Sequence, residues 1–273
     1  MNHEPHGAAA ALKPVARNPV TDDAWRHVLQ AACAPYRTAG RFAWHFAQGK
    51  LGRDPIFRTM LEQGWVRPGE RVLDIGCGQG LLAGLLGASA AARRAGRWPQ
   101  AWGPAPHGNA YHGIELMPRD VARARGAMAD LVANANFVCE DMRDAKLPLS
   151  DVAVILDVLH YVSHAEQEAV LARVHAALGP AGRLLLRVGD AAQHRGFAVS
   201  QWVDRIVTFV RGHRVPPTFG RTLAQWLETL ARAGFTATPV PMSQGTPFAN
   251  VLLLAQPAAS AQPAREAAAT LAL

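Results

Sequence analysis

Two rhythms of apolar positions alternate along this chain. Short runs with strand-like content lie at Val72 to Ile75, Tyr111 to Glu115, Asn136 to Cys139, Asp151 to Asp157 and Gly182 to Val188. The fourth is apolar almost throughout, as a strand buried on both faces would be. Between these runs, apolar residues recur at helical spacing from Leu81 to Leu86, Pro118 to Ala129 and Ala165 to Leu178, the last closed by Gly179-Pro180. Thr222 offers a cap for a helix running to Ala233, closed by Gly234. Phe235 to Pro239 and Asn250 to Ala255 then read as an antiparallel pair. Strands alternating with helices predict an α/β fold with a doubly wound sheet.

The pattern changes at both ends. Residues 1–20 are rich in Ala, Pro and His without periodicity, and disorder is expected there. Residues 21–66 read as a helical unit. Thr21 or Asp22 caps a first helix with Trp25, Val28, Leu29 and Ala32 on one face, stopped by Pro35; Arg41 to Gly49 and Pro55 to Gly64 are two more. The sheet-forming domain covers residues 67–256, with insertions at 88–110 and 190–221. The first insertion holds three arginines, two tryptophans, three prolines and no acid from Ala88 to Asn109, and reads as a long surface loop. The second is expected to carry a helix from Ser200 to Val210. Residues 257–273 form an Ala/Pro-rich tail expected to be mobile.

Composition narrows the class. With 49% apolar and 18% charged residues in 273, the chain can bury one substantial core. The net charge of +7 allows acidic partners without specifying them. Cys33, Cys77 and Cys139 are too few and scattered for a disulfide framework or metal cage, and the histidines and acids lack ligand spacing, so no metal is expected. Without an apolar segment after a basic start, and without a run long enough to span a bilayer, a soluble cytoplasmic protein is expected.

The candidate chemistry sits at the first strand. Asp74 ends an apolar run, and Gly76, Gly78 and Gly80 follow before helical spacing begins at Leu81. Such a corner brings bare backbone and free helix N–H groups to a nucleotide. The dinucleotide fingerprint wants a further glycine at position 81, which is Leu81. The E/D-x-G-x-G-x-G pattern instead resembles motif I of the class I S-adenosylmethionine-dependent methyltransferases. That resemblance implies a Rossmann-like seven-stranded sheet, S-adenosyl-L-methionine as cofactor, and an N-terminal helical cap over it.

It also implies site residues. Asp74, Gly76, Cys77 and Gly78 form the cofactor corner. Glu115, in Gly113-Ile114-Glu115-Leu116, takes the ribose hydroxyls, with Leu116 beside it. Glu115 stands 39 residues after Gly76 rather than the usual ~20, and the first insertion accounts for the surplus. Asp141 after strand three meets the adenine amino group and Met142 a ring nitrogen; Glu140 and Asp144 are rivals for the acid, and a plain capping role is the rival for Asp141. Asp157, heading Asp157-Val158-Leu159-His160-Tyr161, faces the methionine ammonium or the acceptor.

Methyl transfer from a sulfonium needs positioning and desolvation, and a base only where the acceptor loses a proton. His160, His45 and His213 are the candidate bases, each with a packed-histidine rival, and Trp44, Tyr161 and Trp202 are candidate walls of the acceptor pocket. No Asn-Pro-Pro-Tyr-type tetrapeptide follows strand four, which argues against DNA and glutamine acceptors. A small-molecule or carrier-bound acceptor in a biosynthetic pathway of secondary metabolism fits better. Gly49-Lys50-Leu51, Glu115 to Ala122, Leu185 to Asp190 and Gly245 to Val251 also resemble methyltransferases of bacterial aryl-polyene or fatty-acid-like pathways. That likeness implies an aryl or acyl acceptor, either free or on an acidic acyl carrier protein steered by arginines 93, 94, 97, 205, 211 and 214. The alternatives are an RNA- or DNA-directed methyltransferase, disfavoured by scattered basic residues, and a non-catalytic scaffold, disfavoured by the intact motif set.

Overall fold

The computed structural model describes residues 17–129, 134–192, 218–242 and 250–258, with Leu12, Val15 and Val132. The expected disorder before residue 17, the helix at 200–210, Trp202, His213, the arginines at 205, 211 and 214 and nearly all of the tail lie outside these residues.

Seven strands form one sheet: β1 (Arg71–Ile75), β2 (Ala110–Glu115), β3 (Ala135–Cys139), β4 (Ser150–Leu156), β5 (Leu178–Gly189), β6 (Phe235–Pro241) and β7 (Asn250–Pro257). Their order is β3-β2-β1-β4-β5-β7-β6. The first five are parallel, and β7 runs antiparallel between β5 and β6. The order reverses between β1 and β4, where a doubly wound sheet opens a crevice at its carboxyl edge.

Helices cover both faces. α1 (Pro19–Cys33), α2 (Arg41–Arg53), α3 (Pro55–Gln63), α4 (Leu81–Arg94) and α5 (Pro118–Met128) share one apolar cluster with Val72, Tyr111 and Phe137. α6 (His164–Ala177) and α7 (Leu223–Arg232) bury Val170, Leu171, Val174, Trp226 and Leu230 against Leu73, Ile75, Ile155 and Leu186 on the other. Alternation along β1 explains the division: Leu73 and Ile75 point to one face, Val72 and Asp74 to the other.

Several boundaries differ from the pattern-based reading. α1 starts at Pro19 because Asn18, not Thr21 or Asp22, is its cap; Asn18 Oδ1 accepts from the Thr21 N–H, and Thr21 Oγ1 accepts from the Asn18 N–H, each at 3.0–3.1 Å. Proline suits the first helical position. α2 continues past Gly49 to Arg53, with Ala43, Ala47 and Leu51 buried along one side. α6 passes directly into β5 at Leu178, and the Gly179-Pro180 corner becomes an irregularity within the β4–β5 pairing.

The first insertion is the largest correction. It is not a plain surface loop. α4 extends through it to Arg94, and the rest folds back onto α3: the Trp98 indole N–H donates to the Gly103 carbonyl, Trp102 is buried, and the Gly103 N–H donates to the Glu62 carbonyl. Its aromatics bury surface that a polar loop would leave wet. It returns to the sheet at the amino edge, where His107 accepts from the Gly69 N–H. The added residues therefore do not disturb the carboxyl edge.

Candidate functional site

At the end of β1 the chain turns through Gly76, Gly78 and Gly80, all with left-handed φ of 77°, 55° and 79°. A side chain is excluded at Gly76, where a Cβ would lie 2.6 Å from Val158 Cγ1. At Gly78 nothing lies within 4 Å of that position, so the loop has bare backbone facing open space.

Glu115 ends β2 beside this loop. Its Oε2 accepts from the Gly78 N–H and its Oε1 from the Met117 N–H, both at 2.9 Å. Next to it Leu116 is 58% exposed, an apolar side chain left on the rim of the crevice.

Asp74 lies below the loop, where its carboxylate accepts from the Tyr111 hydroxyl. Burial pushes its carboxyl up to about 7; the Tyr111 bond pulls the other way, and the Glu115 charge adds to the rise. Cys77 is buried too, its thiol pushed up by burial and by the nearby Asp74 and Glu115 charges. Beneath them Gly113 leaves the room that Cys77, Phe137 and Tyr111 fill. Asp74 and the Cys77 thiol thus support the corner from within, while Gly78 and Glu115 border the open crevice.

The N-terminal helices grip the same corner. The Tyr36 hydroxyl donates to the Gln79 carbonyl, and Gln79 Nε2 donates to the Ala43 carbonyl, each at 2.9 Å.

Past β3, the Asp141 carboxylate accepts from the Arg143 backbone N–H and guanidinium, and Arg143 also donates to Glu166. The Arg143 bonds hold the Asp141 carboxyl below the usual range. Met142 is half-buried, its carbonyl accepting from Arg173 at 3.0 Å.

Asp157 differs most from the sequence reading. It has φ +60°, the only positive φ among described non-glycine residues. Its carboxylate is bound by Arg187 from β5 and by Lys50 from α2. Burial opposes ionisation, yet the Arg187 and Lys50 charges hold its carboxyl far below the usual range. Asp157 therefore reaches the crevice already paired with two cations, its side chain 28% exposed. Next to it His160 and Tyr161 stand with ring centroids 4.2 Å apart, both half-buried.

His45 and Trp44 do not join them. At about 100° per residue, His45 lies about 200° around α2 from Ala43, on the side away from the glycine corner, and it is exposed. Trp44 packs on the helical core with the Arg37 guanidinium 5.5 Å from its ring centre. Arg93, Arg94 and Arg97 are exposed but follow the far end of α4, about 20 Å along the helix from the glycine corner, toward the amino edge.

Sequence reading missed Lys50, Asp54, Arg187, Tyr36, Gln79 and Tyr111 as supports of the site. Arg187 left a visible signal, a cation in the apolar run Leu184 to Val188. Asp54 left another, a capping residue before Pro55. The rest depend on contacts between distant elements.

Residues 43–240 match the family described as "Methyltransferase domain". The chain belongs to this family of methyltransferase domains. It is 29% identical over 103 residues to the tetracenomycin polyketide synthesis 8-O-methyl transferase TcmO of Streptomyces glaucescens, a stretch covering 37% of this chain and 29% of that protein. The chain thus matches less than a third of the length of this curated relative. Its fold is similar to that of N,N-8-amino-8-demethyl-D-riboflavin dimethyltransferase (RosA) from Streptomyces davawensis, at 20% identity and a TM-score of 0.54, covering 88% of this chain and 70% of that one. It is likewise similar to the mitomycin 7-O-methyltransferase MmcR, at 18% identity and a TM-score of 0.53, covering 88% and 69%.

The residues present fit the cofactor. Open space lies over Gly78, Leu116 offers an exposed apolar surface, and Glu115 brings a carboxylate to the loop. Among the described residues no group of His, Cys, Asp and Glu could hold a metal ion, and no helix is long and apolar enough to cross a membrane.

Proposed function

We propose that this enzyme methylates a small-molecule acceptor, aromatic or conjugated, in a biosynthetic pathway of secondary metabolism in the cytoplasm. The bound cofactor supplies a methyl group on a sulfonium, electrophilic enough to need alignment more than activation. Glu115 receives the ribose hydroxyls while it braces the Gly78 N–H. Leu116 packs on the adenine, with Asp141 and Met142 at its far edge. Asp74 and Cys77 support the corner from beneath. His160 takes the acceptor's proton where one is lost, and Tyr161 forms a wall of the pocket.

One observation carries the acceptor class. The turn after β4 holds Asp157 with both carboxylate oxygens committed to cations. The turn reads Asp157-Val158-Leu159-His160 rather than the polar tetrapeptide that grips planar nitrogens, and it carries a histidine and a tyrosine to face a compact substrate. The names of TcmO and MmcR, both O-methyltransferases, and of RosA, a dimethyltransferase acting on a riboflavin derivative, support acceptors of this size. A carrier-bound acceptor receives no help from Arg93, Arg94 and Arg97, which lie toward the other edge of the sheet.

The test is transfer of labelled methyl from S-adenosylmethionine to a panel of phenols, aryl carboxylates and amines, with RNA, DNA and acyl carrier protein as competitors. Incorporation into a small acceptor, with rates insensitive to salt, supports the reading. Incorporation into nucleic acid alone, or no calorimetric binding of S-adenosylmethionine, overturns it.

A further inference from the structure

Four charged residues from three distant parts of the chain meet at the carboxyl ends of β4 and β5. Arg187 has no exposed side-chain surface and is held between two carboxylates. Its Nε donates to Asp157 Oδ1 at 2.8 Å and its Nη2 to Asp54 Oδ2 at 2.7 Å, while further bonds reach the other oxygen of each acid. Lys50 bridges the same two acids, 2.9 Å from Asp54 and 3.2 Å from Asp157. The cluster is neutral in sum, with two cations and two anions. The Asp157 N–H also donates to the Arg187 carbonyl at 3.3 Å.

What the cluster holds is a turn with an unfavourable backbone. Asp157 is left-handed at φ +60°, a conformation that costs a non-glycine residue. The next residue, Val158, packs so closely on the glycine corner that Gly76 has no room for a Cβ. Any relaxation of Asp157 would therefore move Val158 against the loop that carries the cofactor.

We propose that Arg187 and Asp54 are positioning residues of the cofactor site: they fix Asp157 in its left-handed conformation and so shape the end of the crevice that receives the methionine arm. The inference rests on the cofactor orientation proposed above. With the ribose at β2 and the adenine beyond it toward β3, the amino-acid arm extends the other way, past β1 to the turn after β4. Because Asp54 caps α3, docking of the N-terminal helices and the shape of this turn become one event.

Arg187→Lys keeps the charge but removes the two-pronged geometry. In calorimetry it weakens S-adenosylmethionine and S-adenosylhomocysteine by about tenfold, the scale of a lost charge-assisted pair. Binding of 5′-methylthioadenosine, which lacks the amino-acid arm, changes less than about twofold on the same reasoning. Asp54→Asn gives the same split with a smaller amplitude, and it carries the test if Arg187→Lys fails to fold. Equal losses for all three ligands, or no loss for any, overturn the inference. Glu115→Ala in the same series examines the underlying orientation separately: if it leaves all three ligands unaffected, the cofactor lies differently and the failure belongs to that reading.

Discussion

Single residues at the glycine corner divide into those that face the crevice and those that hold it up. Glu115→Ala removes the carboxylate at the loop and should weaken S-adenosylmethionine by about tenfold or more in calorimetry. Gly76→Val places carbon where Val158 already stands and strains a φ of 77°, so cofactor binding should fall below detection while Gly78→Ala retains part of it. Asp74 makes a pH prediction. Its carboxyl titrates at about 7 in the folded protein, raised by burial, against ~3.9 in an unfolded chain. Between those values the folded state keeps a proton the unfolded state has lost, so this group's contribution falls as pH rises from about 4 to about 7. Asp74→Asn escapes that loss. Its melting temperature relative to the parent, measured without cofactor, should rise between pH 5 and pH 8; a constant difference would mean that Asp74 is ionised throughout. Asp74, the three glycines and Glu115 were legible in the sequence because they interrupt apolar runs at fixed spacing. Tyr111 was not, since a tyrosine in a strand is ordinary until the Asp74 carboxylate is found against it.

Elements were readable wherever periodicity and caps agreed. β1 to β4, α3, α5 and α7 lie within a residue or two of the pattern. α1 and α2 differ at their ends: Asn18 caps α1 through a local box with Thr21, and α2 runs past Gly49 because Leu51 is buried beside Ala43 and Ala47. The insertion of residues 88–110 differs from the pattern for another reason: its arginines, prolines and lack of acids suggest a polar loop, while Trp98, Trp102 and Gly103 decide its structure. Gly103 packs against α3's last turn so tightly that an added Cβ would lie 2.4 Å from Gly64 Cα. Gly103→Ala should therefore cost about 1–3 kcal/mol in denaturant unfolding, the usual penalty for overpacking. S-adenosylmethionine affinity should stay the same, because the insertion rejoins the sheet at its amino edge. A large loss of affinity would place the insertion in communication with the crevice.

At the scale of the molecule, the alternation of strands and helices pointed to the α/β class, and the family resemblance implied a seven-stranded sheet, while the strand order came from the structure. Neither the alternation nor the resemblance revealed that the N-terminal helices are joined to the sheet by polar contacts as well as by apolar packing. Lys50 and Asp54 pair across the sheet's edge with Asp157 and Arg187, Gln79 ties the glycine corner to α2, and Tyr36 ties it to the turn before α2. These contacts link residues 36 to 133 positions apart in sequence, which no local pattern reports. They also limit how far the gene can be cut. A version begun at Pro68 would keep every strand and the whole nucleotide corner, but Arg187 would lose one of its two acids, and the α4 flank that α1 covers would be laid open to water. Such a fragment should collect in inclusion bodies, while one begun at Leu12, which keeps Leu12 and Val15 on the apolar cluster, should purify as a soluble, cofactor-binding protein.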